Sequence, residues 1–328
     1  MPQLTRRAAL AAATTAALAA PAMARAQPRY PDRAVTIVAP FPPGGQADFA
    51  ARPIAAALQK IWNQPVIVAN RAGAGGAIGH AFVAKAAADG HTLLMGLPSL
   101  VFLPDADRIR GRAPAYEMTD FAPIARVLAD PMLLAVPVNS PWRTARDFVA
   151  DAKARPEAIT YASSGIYGTL HIATEMFAQA AGVKFTHVPY TGAGPALAAV
   201  LSGTTDFLAA TPGVIKGAVD GGRLRVLANF GAARNPGFPE APTWMELGLA
   251  GVEYYNWAGL FAPSPTPAPI RAELERAMKS AIEDSDTVRA FTTGGADPAW
   301  LDTEQFTAFI KADTDRLVAV VRRIGNVG

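Results

Sequence analysis

The 328-residue chain has no cysteine, and that absence excludes disulfides, iron–sulfur clusters, thiolate zinc sites, cysteine nucleophiles and lipoprotein acylation. Charged residues make up only 17%, and no run of Lys/Arg with interleaved aromatics occurs, so nucleic acid is not an expected partner. The four histidines (His80, His91, His171, His187) are scattered, with no H-E-x-x-H and no paired spacing on one helix, so no metal site is expected. What is abundant is apolar: 51% hydrophobic residues, with 28 glycines and 28 prolines spread along the chain. That balance excludes disordered, collagenous and coiled-coil classes. The length suits two domains of roughly 150 residues each, or one large one.

Residues 1–26 read as a secretory signal peptide. Arg6-Arg7 form the basic start, 8–20 the mildly apolar middle, and Ala24-x-Ala26 a small-residue cleavage frame. An Ala/Thr-dominated run of that length is short of the roughly 20 apolar residues of a membrane span. Thr5-Arg6-Arg7-x-x-Leu10 matches a twin-arginine signal in part, so both the Sec and twin-arginine routes stay open. The leader holds Arg6, Arg7 and Arg25 and no acid, so its removal takes the formal charge from +3 to zero. The expected mature product is an exported, near-neutral protein.

Apolar runs at 35–39, 66–69, 92–95 and 132–136 have the continuous character of strands buried on both faces. Further strands are expected at 160–162, 185–188, 206–209, 224–228 and 259–262. Helical stretches fall at 47–62, 77–88, 146–153, 170–181, 195–201 and 269–283. Residues 303–324 close the chain as an amphipathic helix. The alternation predicts an α/β fold with mostly parallel sheets flanked by helices.

Three glycine-rich stretches lie between expected strands and helices. In Pro40-Phe-Pro-Pro-Gly-Gly-Gln-Ala-Asp48, free amides at a helix start attract anions, at the strand end where α/β folds bind ligands. A plain tight turn, with Asp48 favouring the helix dipole, explains it equally well. Gly73-Ala-Gly-Gly-Ala-Ile-Gly79 fails the dinucleotide fingerprint, because Ile78 stands where the third glycine belongs; no cofactor is expected. In Ser163-Ser-Gly-Ile-Tyr-Gly-Thr-Leu-His171, hydroxyls and loop amides form a second candidate anion site, and Thr169 is a candidate N-cap. Its other reading is a secreted serine hydrolase with Ser163 or Ser164 as nucleophile and His171 or His187 as base, although Tyr161 stands where G-x-S-x-G requires glycine. His171, at a helix start, is expected to stay neutral.

These stretches and their order resemble the Bug family, the exported solute receptors of tripartite tricarboxylate transporters. The matching residues are Pro40-Phe-Pro-Pro-Gly-Gly-x-x-Asp48, Asn70-Arg-x-Gly-Ala-Gly-Gly-x-Ile-Gly79, Asp89-Gly-x-Thr-Leu-Leu-Met-Gly96 and Asp120-Phe-Ala-Pro-Ile124. Ser163-x-Gly165 with Thr169-x-His171, His187-Val-Pro-Tyr-x-Gly192, Gly222-x-Leu-Arg-Val-Leu-Ala228, Pro242-Thr243 and Trp257-x-Gly-Leu-x-Ala-Pro263 carry it through the chain. The resemblance implies a two-domain Venus-flytrap fold, with 27–126 plus 230–328 as one discontinuous domain and 127–229 as the other. It implies a periplasmic, non-catalytic monomer that captures a small organic mono- or dicarboxylate between its domains. The closed receptor is then read by permease subunits, or by a sensor kinase. Gly45, Gln46, Ala47 and Asp48 would line the first side, with Ser99; Ser163, Ser164, Gly165, Thr169, Leu170 and His171 the other, with Tyr190, Thr191 and Thr211 nearby.

Departures from the family pattern bear on the ligand. Tyr167 replaces a small polar residue and Gly168 a serine, so the loop gains a ring and loses a hydroxyl. Ala210-Thr211 stands in place of an Asp-Asn pair able to hold an ammonium group, which argues against an amino-acid ligand. The expectation is a flat or extended organic acid packed on Tyr167; a lid or surface aromatic is the alternative for that residue.

Overall fold

The computed structural model describes residues 30–327; the expected signal peptide lies outside them. Among the described residues no helix is long and apolar enough to cross a membrane. The chain runs β1 (Val35–Ala39), α1 (Gln46–Trp62), β2 (Val66–Asn70), α2 (Ala77–Ala84), β3 (Thr92–Gly96), α3 (Ser99–Ile109) and β4 (Phe121–Pro131). It continues through β5 (Leu133–Pro137), α4 (Ala145–Ala154), β6 (Thr160–Ser163), α5 (Thr169–Ala181), β7 (Thr186–Pro189), α6 (Ala193–Leu201), β8 (Leu208–Ala210), α7 (Pro212–Asp220) and β9 (Leu224–Asn229). It ends with β10 (Tyr255–Pro263), α8 (Ala268–Glu283), α9 (Ser285–Thr293), β11 (Pro298–Leu301) and α10 (Thr303–Ile324).

Strands from the two ends of the chain share one six-stranded sheet, ordered β11-β4-β10-β3-β1-β2. The intervening strands form a three-stranded sheet, β8-β5-β9, and a parallel pair, β6-β7, which a bridge between Tyr161 and Phe207 joins edge to edge. The chain therefore leaves the large sheet at Pro131, builds the small sheets, and returns at Tyr255.

The α/β class holds, but the sheets are mixed rather than mostly parallel. β1 pairs parallel with β2 and β3, whereas β10 runs antiparallel to both β3 and β4. β5 likewise runs antiparallel to β8 and β9. The cause is connectivity: β4 carries the chain out of the large sheet and β10 brings it back, so the two lie head to tail.

The continuous apolar runs separate by position in the sheet. β1 and β3 are central and almost wholly buried, whereas β2 is an edge strand with Ile67 54% exposed. β4, α3, α7, α9 and β11 have no counterpart among the expected elements. Pro123, Arg126 and Asp130 interrupt the apolar pattern of β4, and Pro104 sits inside α3. α1 continues through Pro53 to Trp62. α10 behaves as its periodicity predicts, burying Phe306, Ile310, Leu317 and Val321.

Candidate functional site

The loop from β1 to α1 is shaped by Asp48. Its carboxylate accepts from Gly44 N–H at 3.1 Å, from Arg52 through both Nε (2.9 Å) and Nη2 (2.8 Å), and from Asn70 Nδ2 at 3.0 Å. Asn70 Nδ2 also donates to the Phe41 carbonyl at 2.9 Å, so the loop is tied at both ends. Burial by itself would raise the Asp48 pKa, but the hydrogen bonds from Arg52, Asn70 and Gly44 outweigh it and hold the group below the usual carboxylate range. With all these donors on it, Asp48 is a loop-positioning residue rather than a ligand contact.

The loop from β6 to α5 is held by histidines. Ser163 Oγ and His187 Nε2 share a 2.6 Å hydrogen bond, and Gly165 N–H donates to Ser163 Oγ at 3.1 Å. Tyr167 N–H donates to His171 Nδ1 at 2.9 Å, so that nitrogen carries no proton and the ring is neutral. His171 and His187 stack at 4.2 Å and 6°, and Tyr161 stacks on His187 at 4.8 Å. Burial pushes His171 down to about 3, helped by neighbouring His187, and pushes His187 down to about 4. The neutrality expected from the helix dipole thus has burial as its principal cause.

Four helices begin at one small cavity. Gly45 and Gln46 of α1, Thr169 and Leu170 of α5, Ala193 of α6 and Thr211 at the start of α7 all line it. The residues preceding these helices, Gly45, Gly168, Gly192 and Thr211, make no side-chain cap, in contrast to Thr144, Asp284 and Asp302, which cap α4, α9 and α10. Uncapped first-turn N–H groups at a helix start are donors lacking an intrahelical acceptor and carry positive partial charge, so four of them together form an anion-attracting pocket. Ser164 Oγ and Asn256 Oδ1 also line the cavity and are buried without a hydrogen-bond partner. Gly168 leaves the room that Ser164 occupies, since a Cβ there would stand 2.5 Å from Ser164 Oγ.

Gln46 bridges the lobes at the cavity floor. Thr211 Oγ1 donates to Gln46 Oε1 at 2.7 Å, and Gln46 Nε2 donates to Asp130 Oδ2 at 2.5 Å. Desolvation raises the Asp130 pKa to about 7; the Gln46 hydrogen bond opposes that rise and the Asp297 charge adds to it. The cavity measures about 10 Å³, the space of one water.

Of the expected site residues, Gly45, Gln46, Ser164, Thr169, Leu170 and Thr211 line the cavity. Asp48, Ser163 and His171 shape the two loops behind it, and Ala47 and Ser99 are buried off it. Gly165, Tyr167, Tyr190 and Thr191 border a separate groove between the lobes, of about 760 Å³. Tyr167 is neither a lid nor a surface ring: it is fully buried, and its hydroxyl bonds the C-terminal tail. The sequence did not single out Phe41, Leu97, Ala193, Val214 and Asn256. Phe41 and Leu97 follow the carboxyl ends of β1 and β3, and Ala193 sits in a Gly-Ala-Gly helix start, so strand-end and glycine signals mark these three. Asn256 carries no such mark.

The arrangement does not serve a serine hydrolase. Ser163 pairs with His187, one of the two candidate bases, but Ser163 is fully buried, and among the described residues no carboxylate hydrogen-bonds either histidine and no histidine bonds Ser164.

A family model described as tripartite tricarboxylate transporter family receptor matches residues 50–326. Protein BugT of Bordetella pertussis is 34% identical over 312 residues, covering 95% of this chain and 94% of the relative. Among solved structures, that of R. palustris Rpa4515 with adipate superposes with a TM-score of 0.84 at 31% identity, covering 89% of this chain and 97% of the other. MatC from Rhodopseudomonas palustris with bound malate gives a TM-score of 0.82 at 30% identity, covering 89% and 100%. The family and these neighbours are substrate-binding proteins, not enzymes.

Proposed function

This chain belongs to the tripartite tricarboxylate transporter receptor family, and from that premise we propose that it captures a small organic mono- or dicarboxylate in the periplasm and delivers it to the membrane permease of such a transporter. The observation that carries the carboxylate is the meeting of four uncapped helix starts at one cavity, with the unpartnered Ser164 hydroxyl beside them. Amides of the α1, α5, α6 and α7 starts neutralise the carboxylate charge, Ser164 and Thr169 orient it, and Phe41, Leu97 and Val214 pack the apolar part. Asp48 and Asp130 do not oppose an anion there, the first being neutralised by Arg52 and the second protonated below about pH 7. The adipate and malate bound by the two R. palustris relatives support the ligand class.

Capture requires hinge motion of two domains, 27–126 with 230–328 against 127–229, about the crossings that follow β4 and β9. β4 keeps its pairing with β10 as far as Pro131, so residues 127–131 lie in the large sheet, and the first crossing on this proposal falls after them, at the Pro131–Leu133 step. The closed form is the one the permease reads.

A thermal-shift screen of the mature chain against organic acids, amino acids, sugars and phosphates tests this. Ligand at a hundredfold excess over its Kd stabilises by about 2.7 kcal/mol. A shift confined to carboxylates is expected; a shift with sugars or phosphates and none with carboxylates overturns the reading.

A further inference from the structure

Tyr167 sits in the loop that presents Ser164 and Thr169 to the cavity, yet its side chain belongs to another contact. The hydroxyl donates to the Gly325 carbonyl at 2.5 Å and accepts from Val327 N–H at 3.2 Å, satisfying both with the tail that follows α10. The ring is fully buried, and the Arg110 guanidinium lies over it at 5.8 Å. Tyr167 also has φ +53°, the left-handed region that a bulky side chain adopts only where its surroundings hold it there.

The tail follows α10, which packs on α3 and β4 of the large-sheet lobe. Arg322, in the last turn of α10, pairs with Asp105 of α3 at 3.0 Å. The same lobe touches the other side of the loop: a Cβ on Gly75 would stand 3.2 Å from the Ile166 carbonyl. The tip of the small-sheet lobe's loop is thus gripped from two sides by the opposite lobe. Hinge opening separates Tyr167 from Gly325 and Val327.

We infer that the C-terminal tail Gly325–Val327 is a latch that, through Tyr167, holds the Ser163–His171 loop in its ligand-binding shape and slows release of ligand from the closed cleft. Tyr167 is on this account a positioning residue that touches no ligand. The release half of the inference rests on the carboxylate reading above, and the loop-holding half does not.

Two variants test it: Tyr167→Phe, which removes only the hydroxyl, and a chain ending at Ile324, which removes the tail. In the unliganded protein, amide hydrogen exchange at residues 165–170 should quicken about tenfold in both, with β1 and β5 unchanged. With adipate or malate as probe, whichever binds the wild type, koff should rise several-fold and kon stay within twofold, because the open form lacks the contact. Combining the changes should add nothing further, since both break one link. Unchanged exchange, unchanged koff or additive effects would each overturn the latch. If neither acid binds the wild type, the exchange result alone decides whether the tail holds the loop. Tyr167→Phe, which keeps the buried ring, decides by itself if the shortened chain does not fold.

Discussion

At the scale of single residues, the cavity places binding in opposition to stability. Ser164 Oγ is buried and unpartnered, a condition that costs about 1–3 kcal/mol until something bonds it. Ser164→Ala should therefore raise the melting temperature of the unliganded protein by a few degrees while weakening carboxylate binding about three- to tenfold, measured by thermal melt and calorimetry on one preparation. Gly168→Ala should reach the same loss of affinity by another route, since its methyl would stand where the Ser164 hydroxyl now lies. Gly168, a departure from the family pattern, here makes space rather than merely removing a hydroxyl.

Titration at this scale has opposing parts. His80 and His171 are held near 3 and His187 near 4, all by burial in the first place. Groups so depressed take up protons in the unfolded chain first, so their contribution to stability is complete above about pH 6.5 and is lost as the pH falls from there toward 3. Asp130 has the reverse sign. Its pKa of about 7 means that the folded state holds a proton that the unfolded chain has released, so stability declines as the pH rises from about 4 to 7. The advantage of Asp130→Asn over wild type should thus be larger at pH 8 than at pH 5 by about 3 kcal/mol, at about 1.4 kcal/mol per unit over nearly two units. A pH-independent difference in chemical denaturation would contradict the assigned burial effect.

At the scale of elements, glycines of the small-sheet lobe allow its close approach to the large-sheet lobe. A Cβ on Gly192 would stand 2.4 Å from Pro42 Cδ across the cleft, and one on Gly213 would stand 2.8 Å from the Phe49 ring. Gly192→Val should leave the melting temperature of the unliganded protein nearly unchanged, because the lobes can sit apart, yet weaken ligand binding at least tenfold and prevent the compaction that small-angle scattering reports on ligand addition. Legibility varied by element for physical reasons. α1 and α10 announce themselves through apolar spacing, and the glycine loops mark two of the four helix starts. β4 was hidden because Pro123, Arg126 and Asp130 interrupt the apolar run that marks a buried strand. α7 was hidden by Pro212, Gly213 and Gly217, although proline at a first turn suits a helix.

At the scale of the whole molecule, the site exists only as a meeting of parts distant in the chain. Gln46, Asp130, Thr211 and Asn256 come together from distant parts of the chain by contacts that no local pattern encodes, which is why the anion loops were readable singly and Asn256 was not. In the function proposed above, this meeting recognises carboxylate charge through helix-start amides. The most direct test is calorimetric titration of the best-binding organic acid beside its neutral amide, identical in shape but for the charge. The amide should bind at least a hundredfold more weakly. Equal affinity for the two would mean that the converging helix starts do not hold the ligand.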